Sequence, residues 1–301
     1  MDDITPDKGR WDAHLHIMPP ERIAGLVRWI QKAFPGHPAR QDITPGEMLD
    51  DLRSVGVTNA LNFVFPLREE ETEPLNLFNR DLANRYPQLI PFGSLHVETP
   101  RKDEVAEQCI LEYGLAGIKL HPYAQRFEVF CPQFEPLYRK LDELGKPLFV
   151  HTGFDAFYGR TQDLDCLRGI LEKYPGMQVV LVHSLFPRLR LARELVSTYD
   201  QVWLDMTNSL SMVRWSRTAP GAMWVEHFGE EPEAEMDCFE PLVEEFSRRI
   251  LFGTDHPVGM GTVEQIYADL DSFGFSEAVK ADLTGGSAVA LLEKTGRPGP
   301  T

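Results

Sequence analysis

The stretch Trp11-Asp-Ala-His-Leu-His-Ile17 begins the first predicted strand and places His14 and His16 one residue apart. Successive side chains of a β-strand point to opposite faces, so both imidazoles project from the same face. Two neutral imidazoles on one face can share a metal ion. An isolated pair of this kind is weak evidence, and its value depends on whether further ligands follow at later strand ends.

Eight short apolar or β-branched runs occur along the chain, and most are followed by a helical pattern. The runs cover residues 10–17, 57–64, 90–96, 115–121, 147–152, 178–183, 201–206 and 249–254. Strands that alternate with helices predict a parallel sheet covered by helices. Eight units without a glycine-rich phosphate turn favour a closed (β/α)8 TIM barrel over an open doubly wound sheet. No linker or repeat divides the chain, so we expect a single domain, 1–301.

Two connections of the predicted barrel are unusually long. One follows strand 1 at about 18–44, and the other follows strand 7 at about 207–248. Connections of this length usually form lids, binding loops or oligomer contacts, and the pattern does not distinguish these roles. Trp215 and Trp224, in the second connection, are expected either to cap the pocket or to lie in a dimer contact.

Composition restricts the class of partner. The formal net charge of −16 argues against nucleic acid and anionic membranes, because both require basic patches. No apolar run is long enough to span a bilayer, and the polar start MDDITPDKGR is unlike a secretory signal. The four cysteines lack pair spacing, which indicates reduced thiols in a cytoplasmic protein. The expected partner is a small-molecule substrate.

Polar side chains recur at the carboxyl ends of the predicted strands, where barrel enzymes carry their chemistry. These side chains are His14, His16, His96, Lys119, His121, His151, His183 and Asp255. A lone histidine at the end of an apolar strand is more often a hydrogen-bonded core residue than a ligand. Six convergent imidazoles and a carboxylate instead predict a metal centre. The mixture of imidazole and carboxylate ligands without thiolate suits Zn²⁺, with manganese, iron or cobalt as alternatives.

A centre with three or four such ligands leaves a position for water, whose pKa a divalent metal lowers to about 7. A nearby carboxylate can take the proton of that water. An imidazole across the site can polarise the substrate. The pattern therefore predicts a hydrolytic or carboxylate-processing centre.

The motifs DAHLHI, GIKLHP, FVHTG, LVHS and FGTDHP stand in this order at the strand ends. With them, the chain resembles the amidohydrolase superfamily from Trp11 to about Leu292. The similarity is to its amidohydrolase-related branch, which contains aminocarboxymuconate-semialdehyde decarboxylase-like enzymes. The closing GGSAVALL is similar to the GxNAxRLL of that family, but Ser287 and Ala290 replace its Asn and Arg.

The resemblance implies that His14, His16, His151 and Asp255 bind one divalent metal ion, most simply Zn²⁺, with Mn²⁺ as an alternative. His183 would then be an unliganded catalytic imidazole, and Asp255 would also transfer a proton. Members of the family are often dimers or larger assemblies, so the resemblance also implies a homo-oligomer.

Lys119 has a second interpretation under the same resemblance. In binuclear members a carboxylated lysine at the end of strand 4 bridges two metals, whereas the GIKLHP pattern is typical of the branch expected to hold one. We expect one metal, with Lys119 and His121 contacting the substrate or supporting the ligands. An ordinary buried ion pair at Lys119 is the alternative. Asp12 is expected to orient ligands.

Arg126 and Arg160 are candidates for holding a substrate carboxylate, although an exposed arginine without a specific contact is the commoner case. The leading prediction is hydrolysis of a small amide, lactone or ester through a metal-activated water. Non-oxidative decarboxylation of an aromatic or unsaturated carboxylic acid at the same metal is the alternative. A catalytically silent barrel is a third hypothesis, and the filled set of metal positions argues against it.

Overall fold

The computed structural model describes residues 9–128, 130–162, 164–218 and 233–296 of the chain. Within these ranges, a strand occupies every one of the eight predicted runs. The strands are β1 Arg10–Leu15, β2 Val57–Phe63, β3 Leu89–Phe92, β4 Ile118–Leu120, β5 Leu148–His151, β6 Val179–Val182, β7 Val202–Asp205 and β8 Ile250–Leu251. Most of these strands are shorter than the corresponding apolar runs, because backbone pairing with the neighbouring strands ends before the run of apolar residues does.

All paired strands are parallel and follow chain order, β1 to β3 in one ladder and β4 to β8 in another. Backbone hydrogen bonds join the two ladders at both edges. Between β3 and β4, Gly93 N–H donates to Gly117 O at 2.9 Å, and Lys119 N–H donates to Gly93 O at 2.7 Å. Between β1 and the end of β8, Ala13 N–H donates to Phe252 O at 2.9 Å. The fold is therefore the (β/α)8 TIM barrel that the alternation predicts.

Helices surround this barrel. Those described are α1 Pro20–Ala33, α2 Pro45–Ser54, α3 Thr72–Arg85, α4 Lys102–Glu107, α5 Pro122–Gln125, α6 Glu135–Leu144, α7 Asp155–Tyr158, α8 Asp165–Lys173, α9 Leu189–Thr198, α10 Ser209–Thr218, α11 Glu233–Met236, α12 Phe239–Phe246, α13 Val263–Ser272, α14 Glu277–Ala281 and α15 Ser287–Lys294. Local signals set their ends. At α2 the Thr44 hydroxyl accepts from Glu47 N–H, and the Glu47 carboxylate accepts from Thr44 N–H. Gly145 ends α6 in the left-handed conformation, with φ of 60°.

The two long connections contain helices rather than open loops. The first carries α1, and the second carries α10, α11 and α12 within the described residues. Trp215 is half-buried on α10, whereas Trp224 lies outside the described residues. None of the helices in the described ranges has the length and apolar character needed to cross a bilayer. The four cysteines are all free of disulfide bonds.

Side chains on the strands divide between two apolar clusters. One lies between the strands and the surrounding helices, and the other fills the barrel interior. In the interior, the ring of Phe149 packs against Phe63 and Phe92, with centroid distances of 4.9 and 4.8 Å. Leu291 and Leu292 of α15 belong to the same inner cluster.

Asp12 fastens β1 to the segment that follows β8. Its carboxylate accepts from His14 N–H at 2.9 Å, Thr254 N–H at 3.1 Å and the Thr254 hydroxyl at 2.6 Å. Burial raises the pKa of Asp12 to about 7, against the opposing effect of these hydrogen bonds. Asp12 thus holds the backbone beside two residues of the predicted site, His14 and Asp255.

Replacing Phe149 tests the barrel interior. Phe149→Ala is expected to lower the free energy of unfolding by about 3–5 kcal/mol, because a fully buried ring leaves a cavity. Urea denaturation measures this change, with Phe149→Leu as a control that refills most of the volume and costs less. A loss below about 1 kcal/mol for the alanine variant would contradict this packing.

Candidate metal centre and its cavity

Three potential ligand atoms meet at the carboxyl ends of β1 and β8. His16 Nε2 lies 3.2 Å from His14 Nε2 and 3.2 Å from Asp255 Oδ1. The remaining distance, from His14 Nε2 to Asp255 Oδ1, is 3.6 Å. All three residues are buried, and one ligand atom of each lies within 4.8 Å of the other two. We call His14, His16 and Asp255 the ligand triad.

The hydrogen bonds of His14 and His16 show which nitrogen of each imidazole carries the proton. His14 Nδ1 lies 2.7 Å from Asp205 Oδ2, and His16 Nδ1 lies 2.9 Å from Phe63 O. A carboxylate and a carbonyl accept only, so in the neutral rings both Nδ1 atoms carry the proton. The Nε2 lone pairs therefore face each other and Asp255 Oδ1. Electron pairs at this separation repel unless a cation lies between them, so the triad fits a divalent metal ion.

The protonation states also suit a metal. Burial lowers the pKa of His14 well below its ordinary value, which keeps its imidazole neutral. Burial alone would raise the pKa of Asp255, yet that pKa lies below its ordinary value. A neutral imidazole and an ionised carboxylate are the forms that bind metals.

Three more imidazoles form a row of ring contacts that begins beside the triad. His183 lies beside His14, with a centroid distance of 5.6 Å, and contacts His151 at 4.4 Å. His151 in turn stacks on His121 at 3.9 Å. Burial lowers the pKa of all three, so each is neutral near pH 7.

His183 and His121 have opposite hydrogen-bonding polarity. His183 Nδ1 donates to Thr207 O at 2.7 Å, which leaves its Nε2 as an acceptor. His121 Nδ1 accepts from Ala124 N–H at 3.3 Å, which places the ring proton on Nε2. One imidazole can therefore take a proton, and the other can donate a hydrogen bond.

His151 Nε2 is buried and has no hydrogen-bond partner among the described residues. Buried polar atoms are rarely unpaired, so this nitrogen calls for a ligand or a hydrogen-bond donor. It lies outside the group of atoms within 4.8 Å that forms the triad. Metal binding by His151 therefore stays a prediction.

The backbone around His183 is held in an uncommon conformation. His183, Ser184 and Leu185 have φ of 62°, 51° and 57°, in the left-handed region that costs about 1–2 kcal/mol per residue. Hydrogen bonds hold this turn: Ser184 Oγ donates to Asp205 O at 3.0 Å, and Ser209 Oγ donates to His183 O at 2.7 Å. Strain of this kind concentrates at functional sites.

Asp205 and Asn208 belong to the site but were missed by the sequence analysis. Asp205 ends β7 and receives the hydrogen bond from His14, and Asn208 Nδ2 donates to Asp255 Oδ2 at 2.7 Å. Asp205 is a polar residue at the end of an apolar strand. The rule that identified the histidines would have identified it too.

Several candidates are not members of the triad. Lys119 Nζ is fully buried, 5.0 Å from the Phe63 ring centroid, without a hydrogen bond or ion pair to any described residue. Burial lowers its pKa to about 7. Arg126 is exposed at the end of α5, and His96 Nδ1 accepts from Glu98 N–H at 3.3 Å.

A cavity lies above the triad, and the space in and around it, open solvent included, is about 600 Å³. His16, His183 and Asp255 contribute to its floor, and His121 and His151 also line it. The rest of the lining consists of six aromatic side chains and five others: Trp29, Phe34, Phe65, Phe154, Phe157 and Tyr158, with Leu26, Ile30, Asn208, Val258 and Met260. Trp29 and Phe34 lie on or next to α1, so the first long connection forms part of the binding cavity. Lys119, Arg126, Arg160 and His96 are not among the lining residues.

Comparison with known proteins identifies the family. The Amidohydrolase family model matches residues 11–294. A curated relative, 2-amino-3-carboxymuconate-6-semialdehyde decarboxylase of Dictyostelium discoideum, is 24% identical over 229 residues, which cover 68% of this chain. The match spans 61% of the length of that relative.

Solved structures with the same fold include an uncharacterized TIM-barrel protein from Bordetella bronchiseptica (TM-score 0.68, 17% identity, 95% of this chain and 100% of that one). A protein from Pseudomonas putida described as a candidate 2-pyrone-4,6-dicarboxylic acid hydrolase is also similar (0.61, 17%, 95% and 98%). A third is 5-carboxyvanillate decarboxylase from Novosphingobium aromaticivorans, complexed with manganese and 4-hydroxy-3-methoxy-5-nitrobenzoic acid (0.60, 15%, 94% and 96%). These identities show the fold alone. Because the family model covers nearly the whole chain, the protein belongs to the amidohydrolase family of enzymes.

Proposed function

We propose that the protein is a divalent-metal-dependent decarboxylase of a small aromatic or unsaturated carboxylic acid. The observation that carries this proposal is the ligand triad at the floor of an aromatic-walled cavity. Two similar proteins are named as decarboxylases of unsaturated or aromatic acids. Hydrolysis, which the sequence alone favours, becomes the second candidate because the cavity wall is apolar and these relatives act on carboxylates.

The ion would be held by His14, His16 and Asp255, with His151 as the fourth predicted ligand. When bound, it supplies a Lewis acid for the substrate carboxylate. Imidazole and carboxylate ligands suit Zn²⁺, and Mn²⁺ is the alternative that a structural neighbour holds.

Decarboxylation breaks the bond between the carboxyl carbon and the carbon that bears it. The electron pair stays on the latter carbon, which must take up a proton as CO2 leaves. His183 Nε2 is an acceptor on the cavity floor, and its ring is fixed by the bond to Thr207 O. We assign it the transfer of a proton from solvent to that carbon. His121 Nε2–H would donate to a polar substituent of the substrate.

Hydrolysis of an amide, lactone or ester would use the same groups. Asp255 and His183 would take up the proton of an attacking water, and His121 would donate to the carbonyl oxygen. The similarity to the candidate pyrone dicarboxylic acid hydrolase favours this reaction. The two reactions differ in their products, because only hydrolysis adds the oxygen of water to the substrate.

Asp205→Asn tests the metal centre. The amide cannot accept the His14 Nδ1 hydrogen bond as the carboxylate does, so metal affinity is expected to fall by about 10–100-fold. Metal content by elemental analysis and competition with a chelator measure this change. Asp271→Asn, at the exposed Asp271, is the matched control. Unchanged affinity in the Asp205 variant would contradict the assigned geometry.

His183→Gln tests the reaction. We expect the wild type to release CO2 from an aromatic or unsaturated acid in a screen of such acids. The variant should lose about 10²–10⁴-fold in kcat, since proton transfer is lost while the triad keeps its metal. CO2 release and incorporation of ¹⁸O from labelled water are measured together. Label in the product without CO2 would establish hydrolysis instead, and full activity in the variant would remove His183 from the mechanism.

A further inference from the structure

On the basis of the proposed function, we infer that the substrate carries a single carboxylate on a flat, otherwise uncharged body. That body would lie against a wall formed by Trp29, Phe157 and Tyr158, which we call the aromatic wall. Two independent features of the cavity support this substrate class: the charges around the cavity and the packing of the aromatic wall.

The first observation is that no lysine or arginine lines the cavity among the described residues. Lys119 does not line the cavity, but it is buried close enough to the triad for its charge to add to burial in lowering the pKa of His14. Arg126 is exposed elsewhere, and Arg160 pairs with Glu128 at 2.6 Å. The internal stretches outside the described residues, at 129, 163 and 219–232, contain no lysine or arginine in their sequence. Among the residues that the structure describes around the cavity, a cationic partner for a substrate anion is thus available at the floor alone, from the metal ion that the triad would hold and from Lys119 beside it.

This arrangement limits the charge that the cavity accepts. One carboxylate can be neutralised at the floor, beside the triad. A second carboxylate on the same ring would lie among apolar side chains without a cationic partner, and burial of an unpaired charge is strongly unfavourable. The names of the similar decarboxylase and hydrolase refer to more than one acidic group, so this chain would differ from them in specificity.

The second observation is the packing of the aromatic wall. Trp29 of α1 stacks on Tyr158, with a centroid distance of 6.1 Å and an interplanar angle of 13°, and meets Phe157 edge-on at 5.5 Å. The Trp29 side chain is nevertheless 40% exposed. A large apolar ring that stays exposed at the mouth of a cavity is available to stack on a flat ligand.

The position of the wall is fixed by charged and polar contacts behind it. Asp155, the first residue of α7, accepts hydrogen bonds from the Tyr123 hydroxyl and, at 2.8 Å, from Arg188 Nη2. Tyr123 also stacks on Tyr158 at 4.7 Å. The loops after β4 and β6 therefore hold the wall in place before any ligand binds, as a preformed specificity element requires.

Two probes of nearly equal shape test the inference: 3-acetylbenzoate, with one charge, and benzene-1,3-dicarboxylate, with two. Isothermal titration calorimetry of the full chain with added Mn²⁺ measures the binding of each. We expect 3-acetylbenzoate to bind at least about tenfold more tightly. Trp29→Ala should weaken its binding by about tenfold, whereas Trp29→Phe retains an aromatic face and stays within about threefold. Leu111→Ala, at another exposed apolar side chain, should change nothing.

Equal or tighter binding of the dicarboxylate overturns the inference, as does the absence of binding by both acids. Full affinity in Trp29→Ala, with wild-type thermal stability, removes Trp29 as the selecting residue. The proposed reaction is judged separately by CO2 release. Selective binding without CO2 release would support the substrate specificity and refute the decarboxylase. CO2 release from dicarboxylates would support the decarboxylase and refute the specificity.

Discussion

The repulsion among three unprotonated ligand atoms is the constraint on which the site depends. The outer nitrogens of His14 and His16 are committed to Asp205 and to the Phe63 carbonyl, so their inner lone pairs must face Asp255. Without a cation this arrangement is unfavourable, and with one it is a metal centre. The chemistry proposed for the protein follows from that ion and from the imidazoles beside it.

The barrel fold brings the ligand atoms together, because the carboxyl ends of strands that are distant in sequence lie at the same end of the barrel. Asp12 fixes the backbone of β1 to that of Thr254, so His14 and Asp255 are positioned by the same carboxylate. The turn at His183 is strained and is held by Ser184 and Ser209. These buried hydrogen bonds are made at fixed strand ends, where a small displacement would separate the ligand atoms.

Much of this arrangement could be predicted from the chain. Apolar runs of strand length, alternating with helical patterns, predicted all eight strands, and the polar residues at their ends predicted the triad. The same rule placed His96 in the site, but its ring is hydrogen-bonded to the backbone of Glu98 and lies outside the cavity lining. Arg126 is exposed at the end of a four-residue helix and does not line the cavity.

The cavity wall could not be predicted in this way. Trp29 and Tyr158 are far apart in sequence, and their contact depends on how α1 packs on the loop after β5. The periodic pattern of apolar residues along the sequence does not predict this contact. Asn208 was not predicted for a related reason: it lies beyond the end of β7, and the barrel fold brings it within hydrogen-bonding distance of Asp255. The polar residues at strand ends can thus be predicted from local sequence pattern. The residues of the cavity wall cannot, because their contacts depend on how distant segments of the chain pack together.

The central claim is that His14, His16 and Asp255 share one divalent ion. Anomalous diffraction from crystals of the protein grown with Zn²⁺ or Mn²⁺ tests it most directly. The account predicts a single strong peak about 2.0–2.2 Å from His14 Nε2, His16 Nε2 and Asp255 Oδ1. A map with no peak between these atoms, or with the ion bound elsewhere in the barrel, would contradict it.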